Sequence, residues 1–230
     1  PAEVPGALMA GALRSAIDWA ATSYDEVCRR HRWLVPERLN IGFEACDRHA
    51  DGRGRTALVC VREGVEPTRY SFDELADLSS RRMAVLTEMG IGRGDRVAVY
   101  LPQGVENPLA HLATMKLGAA TVPLSPLFRA DALSYRLAHS GAKVLITDAE
   151  HLPFIAEIQG LLPSPVKVLA CGEGGPDDSA FWRAVKEAAP GLAAASTTAN
   201  DPAMVIYTSG TTGMPKGAVH AHRFLPGRLS

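Results

Sequence analysis

Ten residues near the carboxyl end of the sequence concentrate chemical groups that bind phosphate. Residues 208–217 contain four hydroxyl side chains, three glycines and one lysine. Glycines let the backbone turn and bring N–H groups close to an anion, and hydroxyl side chains add further hydrogen-bond donors. The ammonium group of Lys216 supplies a positive charge. The composition of this segment therefore suits a loop that holds a phosphate chain.

Two interpretations stay open on composition alone. Glycine, threonine and serine between two strands also make an ordinary mobile turn, and a surface lysine is usually a solvated charge. The segment is not a Walker loop either. That pattern places Gly-Lys-Ser/Thr at the start of a helix, whereas here Lys216 follows Pro215 and precedes Gly217.

The order of the residues decides between these interpretations. Residues 207–217, YTSGTTGMPKG, resemble the phosphate-binding signature of the adenylate-forming superfamily, which includes acyl-CoA synthetases, adenylation domains and luciferases. Three upstream segments resemble the N-terminal region of that family in the same order: GDRVAVYLPQ at 94–103, MKLGAATVPL at 115–124 and LSYRLAHSGAKVLITD at 133–148. The resemblance covers roughly Leu39 to the last residue, and we expect the chain to be part of a longer enzyme.

This resemblance implies a two-step ligase. A carboxylate attacks the α-phosphorus of Mg·ATP to give an acyl-adenylate and pyrophosphate, and a thiol, usually that of CoA, then displaces AMP. The implied small molecules are ATP, Mg2+, CoA and a carboxylic acid, with short- or medium-chain fatty acids favoured. Lys216 is the predicted catalytic residue, because a cation aimed at the departing pyrophosphate stabilises the transition state. The residues predicted to bind the nucleotide are Thr208, Ser209, Gly210, Thr211, Thr212, Gly213, Lys216 and Gly217.

Other chemistry-bearing residues have more ordinary interpretations. His220 and His222 lie two apart, on one face of a predicted strand, and we favour packing or capping over metal binding because no third ligand is visible. The basic residues near the predicted helices, Arg129, Arg136 and Lys143, are expected to be solvated, with buried stems. Cys171 lacks a neighbouring acid–base pattern, and Tyr207 is as well suited to anchoring a strand as to meeting a ligand.

Composition excludes several classes of protein. Lysine and arginine total 24 against 25 acidic residues, so no net field attracts nucleic acid or anionic lipid. No apolar run approaches the roughly 18 residues of a membrane-spanning helix.

The four cysteines form no close pair, which favours buried free thiols and a reducing cytoplasm. The apolar stretch from Ala7 to Leu13 is interpreted as a helix, because no basic residue precedes it as in a signal peptide.

The middle of the sequence alternates short apolar runs with helical patterns. The predicted strands are 56–61, 97–101, 119–124, 144–147, 166–170 and 204–207. The first predicted helix begins at Ser71, which forms a capping box with Glu74. The other predicted helices are one from 106 to a stop at Gly118, 131–139, 150–159 and 180–189. Nearly continuous apolar strands separated by helices require a parallel sheet covered on both faces.

The predicted fold class is therefore α/β, with a doubly wound, mainly parallel sheet flanked by helices, as in the N-terminal subdomain of an adenylate-forming enzyme. A small-residue linker at 192–200 suggests a boundary. We expect residues 1–200 to form the N-terminal α/β subdomain and residues 201–230 to form the phosphate-binding hairpin that opens the next one. Two other functions stay open: an ATP-dependent phosphotransferase or ATPase, and a non-catalytic nucleotide-binding module.

Overall fold

The computed structural model describes residues 23–31, 34–171, 185, 187–188, 192–209 and 213–228. The helix expected over Ala7–Leu13 lies outside the described residues, as does most of the helix expected over 180–189.

A six-stranded sheet forms the centre of the fold. Its strands in chain order are β3 (Arg96–Tyr100), β4 (Ala120–Pro123), β5 (Val144–Asp148), β6 (Lys167–Cys171), β7 (Pro202–Thr208) and β8 (Lys216–Ala221). They lie in the order β6-β5-β3-β4-β7-β8. The five strands from β6 to β7 run parallel, and β8 returns antiparallel to β7. An antiparallel hairpin of β1 (Thr56–Arg62) and β2 (Val65–Ser71) lies outside this sheet.

Helices cover both faces of the sheet. They are α1 (Tyr24–Arg30), α2 (Ile41–Ala45), α3 (Phe72–Glu88), α4 (Glu106–Lys116), α5 (Ala130–Ser140) and α6 (Leu152–Gln159), with 3-10 turns at Asp47–His49, His222–Phe224 and Pro226–Arg228. On β3, Val97 and Val99 join the core under α3 and α4, whereas Ala98 and Tyr100 join the core under α5 and α6. Burial on both faces explains why the strands are continuously apolar. The predicted doubly wound α/β fold is confirmed.

Local signals account for the longest helix. The Ser71 side chain accepts a hydrogen bond from the Glu74 N–H, and the Glu74 carboxylate accepts one from the Ser71 N–H, so the predicted capping box is present. The strand β2, directly before this helix, was not predicted. Its residues are mostly polar and exposed and include Pro67, so the strand carries no clear apolar alternation.

A buried lysine ties α4 to its neighbours. Lys116 has no solvent exposure, and its ammonium group lies 2.5 Å from an Asp47 carboxylate oxygen. The same group donates hydrogen bonds to the Ala76 carbonyl and to the hydroxyls of Ser79 and Ser80, at 3.0, 2.7 and 3.1 Å. Burial raises the pKa of Asp47, and the charge of Lys116 acts against this rise. Lys116 therefore has a structural role.

The exposure of the four cysteines agrees only in part with the expectation that their thiols are buried. All four cysteines are free, but Cys46 and Cys171 alone are buried, and Cys28 is exposed, so the expectation of buried thiols was wrong for Cys28. Within the described residues, no helix combines the length and apolar character needed to cross a bilayer. The boundary expected near residue 200 stays a prediction. The strand β7, which follows it, pairs in parallel with β4 through Thr121 and Met204.

Candidate functional site

The hairpin of β7 and β8 positions the loop that the sequence singled out. Thr208, the last residue of β7, lies directly opposite Lys216, the first residue of β8. Partners in an antiparallel pair direct their side chains to the same face, so a hydroxyl and an ammonium group flank the loop on one side. This end of β7 is also the carboxyl end of a parallel sheet, where ligands bind in open α/β folds.

The described part of the loop is open to solvent. Thr208, Ser209 and Lys216 are exposed. Gly213 has φ of 105°, a backbone conformation that side chains rarely allow. Three predicted nucleotide-binding residues, Gly210, Thr211 and Thr212, lie outside the described residues. The structure thus places one lysine and two hydroxyl side chains at one end of the hairpin, and their role in binding stays a prediction.

Gly217 lies at a position where a side chain would be tightly packed against β7. It pairs with Tyr207 across the hairpin, and a Cβ atom at this position would lie 3.0 Å from Val205 Cγ1 and 3.2 Å from Tyr207 Cζ. Few real Cβ atoms approach other atoms so closely, so a side chain here would require Val205 or the tyrosine ring to shift by a few tenths of an ångström. The third glycine of the loop sequence therefore allows the Tyr207 ring to cover the backbone of β8.

Helix α5 packs rings against this hairpin. Tyr135 and His139, one helical turn apart, stack at a centroid distance of 5.4 Å, and both meet the Tyr207 ring edge-on. The Tyr207 hydroxyl lies 2.8 Å from His139 Nδ1. The Tyr135 hydroxyl donates a 3.0 Å hydrogen bond to the Pro215 carbonyl. Tyr207 thus anchors its strand, one of the two roles considered for it, and burial raises the pKa of its phenol.

One expectation about the basic residues was wrong. Arg136 is only 8% exposed, and its guanidinium lies over the Phe128 ring at 4.1 Å and near the Tyr207 ring at 5.6 Å. The faces of these two rings stabilise the buried cation. The pattern of residues along α5 could not indicate that Arg136 is buried. Arg129 is exposed as expected, and Lys143 forms a 2.7 Å ion pair with Asp95.

The two histidines after the loop have packing roles. His222 is fully buried in a 3-10 turn, just beyond the end of β8, and its Nδ1 accepts a 3.0 Å hydrogen bond from the Ile41 N–H at the start of α2. Burial lowers the pKa of His222 to about 4. The ring of His220 packs edge-on against Phe224. Packing was the favoured interpretation, and the described residues contain no group of three potential metal ligands.

Cys171 also lacks the surroundings of a nucleophile. Its thiol is buried and accepts a long 3.6 Å hydrogen bond from Arg82 Nη2. Burial raises the pKa of the thiol, although Arg82 acts in the opposite direction. A protonated, enclosed thiol is a poor nucleophile, so the site remains the loop and its hairpin.

A family profile described as "AMP-binding enzyme" matches residues 46–226, most of the chain. The chain belongs to this family. Among curated proteins, 4-coumarate–CoA ligase 5 of Oryza sativa subsp. japonica is 36% identical to this chain over 194 residues, covering 83% of this chain and 34% of the relative. The chain is 32% identical over 214 residues to acetyl-coenzyme A synthetase of Bacillus subtilis, covering 87% and 37%.

A solved structure of Brucella canis acyl-CoA synthetase gives a TM-score of 0.74 at 30% identity, over 83% of this chain and 34% of that one. The chain therefore spans about a third of the length of these relatives. The predicted family is confirmed, and the loop from Thr208 to Lys216 lies inside the segment that the family profile matches.

The sequence did not reveal two features of this site. Tyr135 and His139 lie on the predicted helix 131–139, and nothing in that helix indicates contact with Pro215 and Tyr207, 80 and 68 positions later. Their spacing of four residues on a predicted helix was the one available signal, since it places both rings on the same helical face.

Proposed function

We propose that this AMP-binding enzyme is part of an acid–thiol ligase that activates a carboxylic acid with ATP and transfers the acyl group to CoA. Family membership and relatives named as CoA ligases and synthetases support this activity. The observation that carries the proposal is the pairing of Thr208 with Lys216 at the carboxyl end of the sheet, on either side of the loop.

In the first step, a carboxylate oxygen attacks the α-phosphorus of Mg·ATP, and pyrophosphate leaves. Negative charge then develops on the oxygen atoms of pyrophosphate, and the ammonium group of Lys216 and the hydroxyl groups of Thr208 and Ser209 stabilise it. Such groups act by being in position before the reaction, not by forming bonds. In the second step, the CoA thiol attacks the acyl carbon and AMP leaves.

The exposed position of Lys216 suits this role. A solvent-exposed ammonium group is available to an incoming triphosphate, whereas the buried Lys116 is fully occupied by Asp47 and its hydrogen bonds. Lys143 and Lys167 lie at the opposite, amino end of the parallel strands. Of these four lysines, Lys216 alone therefore adjoins the loop.

The carboxylic acid that the enzyme activates is proposed only as a chemical class. Acetate and 4-coumarate, the acids in the names of the two relatives, differ greatly in size and shape. Short- and medium-chain fatty acids remain our prediction, to be tested with a panel of straight-chain and aromatic acids.

The test is acid-dependent exchange of labelled pyrophosphate into ATP by the intact protein. We expect exchange with at least one acid, and Lys216→Ala to lower its rate about 10- to 1,000-fold, as removal of one charge-stabilising donor does elsewhere. Lys143→Ala is the matched control, because it removes a lysine from the other end of the sheet and should leave the rate unchanged.

The same assay separates the alternatives. ATP turnover that needs no acid would favour a phosphotransferase or ATPase, and nucleotide binding without turnover would favour a non-catalytic module. A Lys216→Ala variant that exchanges pyrophosphate at the wild-type rate would remove the role assigned to this lysine.

A further inference from the structure

The aromatic contacts between α5 and the hairpin reach both strands that flank the loop. On the β7 side, His139 Nδ1 lies 2.8 Å from the hydroxyl of Tyr207, one residue before Thr208. On the β8 side, the Tyr135 hydroxyl donates to the carbonyl of Pro215, the residue before Lys216. One face of one helix thus holds the chain immediately before and immediately after the loop.

These contacts act together because the rings touch one another. Tyr135 stacks on His139 with an interplanar angle of 26°, and Tyr207 meets both rings at angles near 75°. The Tyr207 hydroxyl also lies 3.4 Å from the Arg136 carbonyl, one turn before the end of α5. We call Tyr135, His139 and Tyr207 the ring clamp.

We propose that Tyr135 and His139 are positioning residues that fix the hairpin, and through it Lys216, in the geometry that adenylate formation requires. This inference rests on the proposed function. The Pro215–Lys216 peptide is planar, so a hydrogen bond to the Pro215 carbonyl orients the Lys216 backbone as well. Among the strands that the structure describes, β7 and β8 lie at one end of the sheet, with β4 as their neighbour on one side, so contacts from α5 add restraint that the described strands do not supply.

The positioning role follows from the exposure of Lys216. An exposed lysine side chain has many rotamers, and its effect on a transition state depends on how well its backbone is held. Neither Tyr135 nor His139 needs to touch the nucleotide for this purpose. Each acts through the strand end that it contacts.

The first experiment measures how firmly the hairpin is held. Tyr135→Phe keeps the ring and removes the hydroxyl that binds Pro215. In the intact protein, we expect amide hydrogen exchange to become about 3- to 10-fold faster in the peptide covering 204–221, as the loss of one hydrogen bond allows, with no change in β3 and β5. Tyr70→Phe, which removes a hydroxyl from the separate β1–β2 hairpin, is the matched control. If amide hydrogen exchange in Tyr135→Phe equals that of the wild type, the inference that Tyr135 restrains the hairpin is wrong, whatever reaction the protein catalyses.

The second experiment tests whether the clamp acts through Lys216. Tyr135→Phe and Lys216→Ala are combined in a double-mutant cycle, with pyrophosphate exchange as the readout. We expect Tyr135→Phe alone to lower the exchange rate about 3- to 30-fold and to have little effect once Lys216 is already alanine. His139→Phe, which keeps a ring but loses Nδ1, should behave in the same way.

The outcomes distinguish the inference from the proposed function. If Tyr135→Phe lowers the rate equally in both backgrounds, the tyrosine does not act through Lys216 and the positioning role is wrong. If the wild-type protein shows no acid-dependent exchange with the whole acid panel, the proposed function fails and the catalytic role of the clamp fails with it. Hydrogen exchange still decides, in that case, whether the clamp restrains the hairpin.

Discussion

Replacing the buried Lys116 with methionine tests how the helices are fixed to one another. Methionine fills a similar space without a charge, but the change removes three hydrogen bonds and leaves Asp47 without its ion-pair partner. Breaking a buried pair by removing one partner costs about 3–5 kcal/mol. The Asp47 side chain retains 19% exposure and is partly hydrated, so we expect a loss at the lower end, about 3 kcal/mol.

The loss should depend on pH. Burial already raises the pKa of Asp47, and removal of the nearby Lys116 charge raises it further. The folded variant then penalises the ionised carboxylate, so its free energy of unfolding should fall as the pH rises through the pKa of Asp47 in the folded state. The deficit relative to wild type is therefore expected to be smaller at pH 5 than at pH 8.

Urea denaturation of both proteins, followed by circular dichroism at the two pH values, measures this difference. Lys167→Met is the matched control, because its ammonium group makes one exposed hydrogen bond, to the Met89 carbonyl. Adding Asp47→Asn to Lys116→Met should restore part of the lost stability, since the unpaired charge is gone. A loss below about 1 kcal/mol, or no recovery in the double variant, would refute the reasoning.

Three further predictions concern single residues. Gly217→Ala should lower the free energy of unfolding by about 1–3 kcal/mol and reduce pyrophosphate exchange, because the new methyl group displaces the Tyr207 ring; wild-type behaviour in both assays would contradict this. The pKa of His222 falls to about 4 from 6.5, so its contribution to stability should be lost as the pH falls from 6.5 toward 4. His222→Asn, which offers an acceptor near the position of Nδ1, should make the fall in melting temperature over that range shallower; an unchanged slope would argue against His222 as its source. Gly118→Ala should cost about 1 kcal/mol or more, because φ is +77° and a Cβ would lie 3.0 Å from Thr197 Cγ2; a melting temperature equal to that of wild type would be inconsistent with this strain.

Local signals explain how much of the fold the sequence predicted. The helix that begins after Ser71 and the strands β3 and β5 are specified by residues that are close together in the sequence: a capping box and two apolar runs. The structure places these elements within one or two residues of the expected bounds. The strand β2 has no such signal, because its residues are mostly polar and, in the described part of the chain, it pairs with β1 in a separate two-stranded sheet.

The site divides in the same way. The loop could be predicted because its own residue order carries the family signature, and the hairpin follows from a strand before it. The ring clamp depends on how α5 meets residues 68 to 80 positions away, and the burial of Arg136 depends in part on the same hairpin, through Tyr207. Patterning along one helix shows which residues share a face, but not which distant strand covers that face.

The contact between Gly217 and the Tyr207 ring also limits how this loop can change in evolution. A one-residue slip of β8 against β7 would bring Ala218 or Lys216 beneath the ring, where a Cβ would press closely on Val205 and the ring. Sliding of the strands to absorb an insertion or a deletion is therefore disfavoured. A change in length then falls on the seven residues between Thr208 and Lys216, so we expect relatives that share this glycine and tyrosine to tolerate substitutions there more readily than gaps.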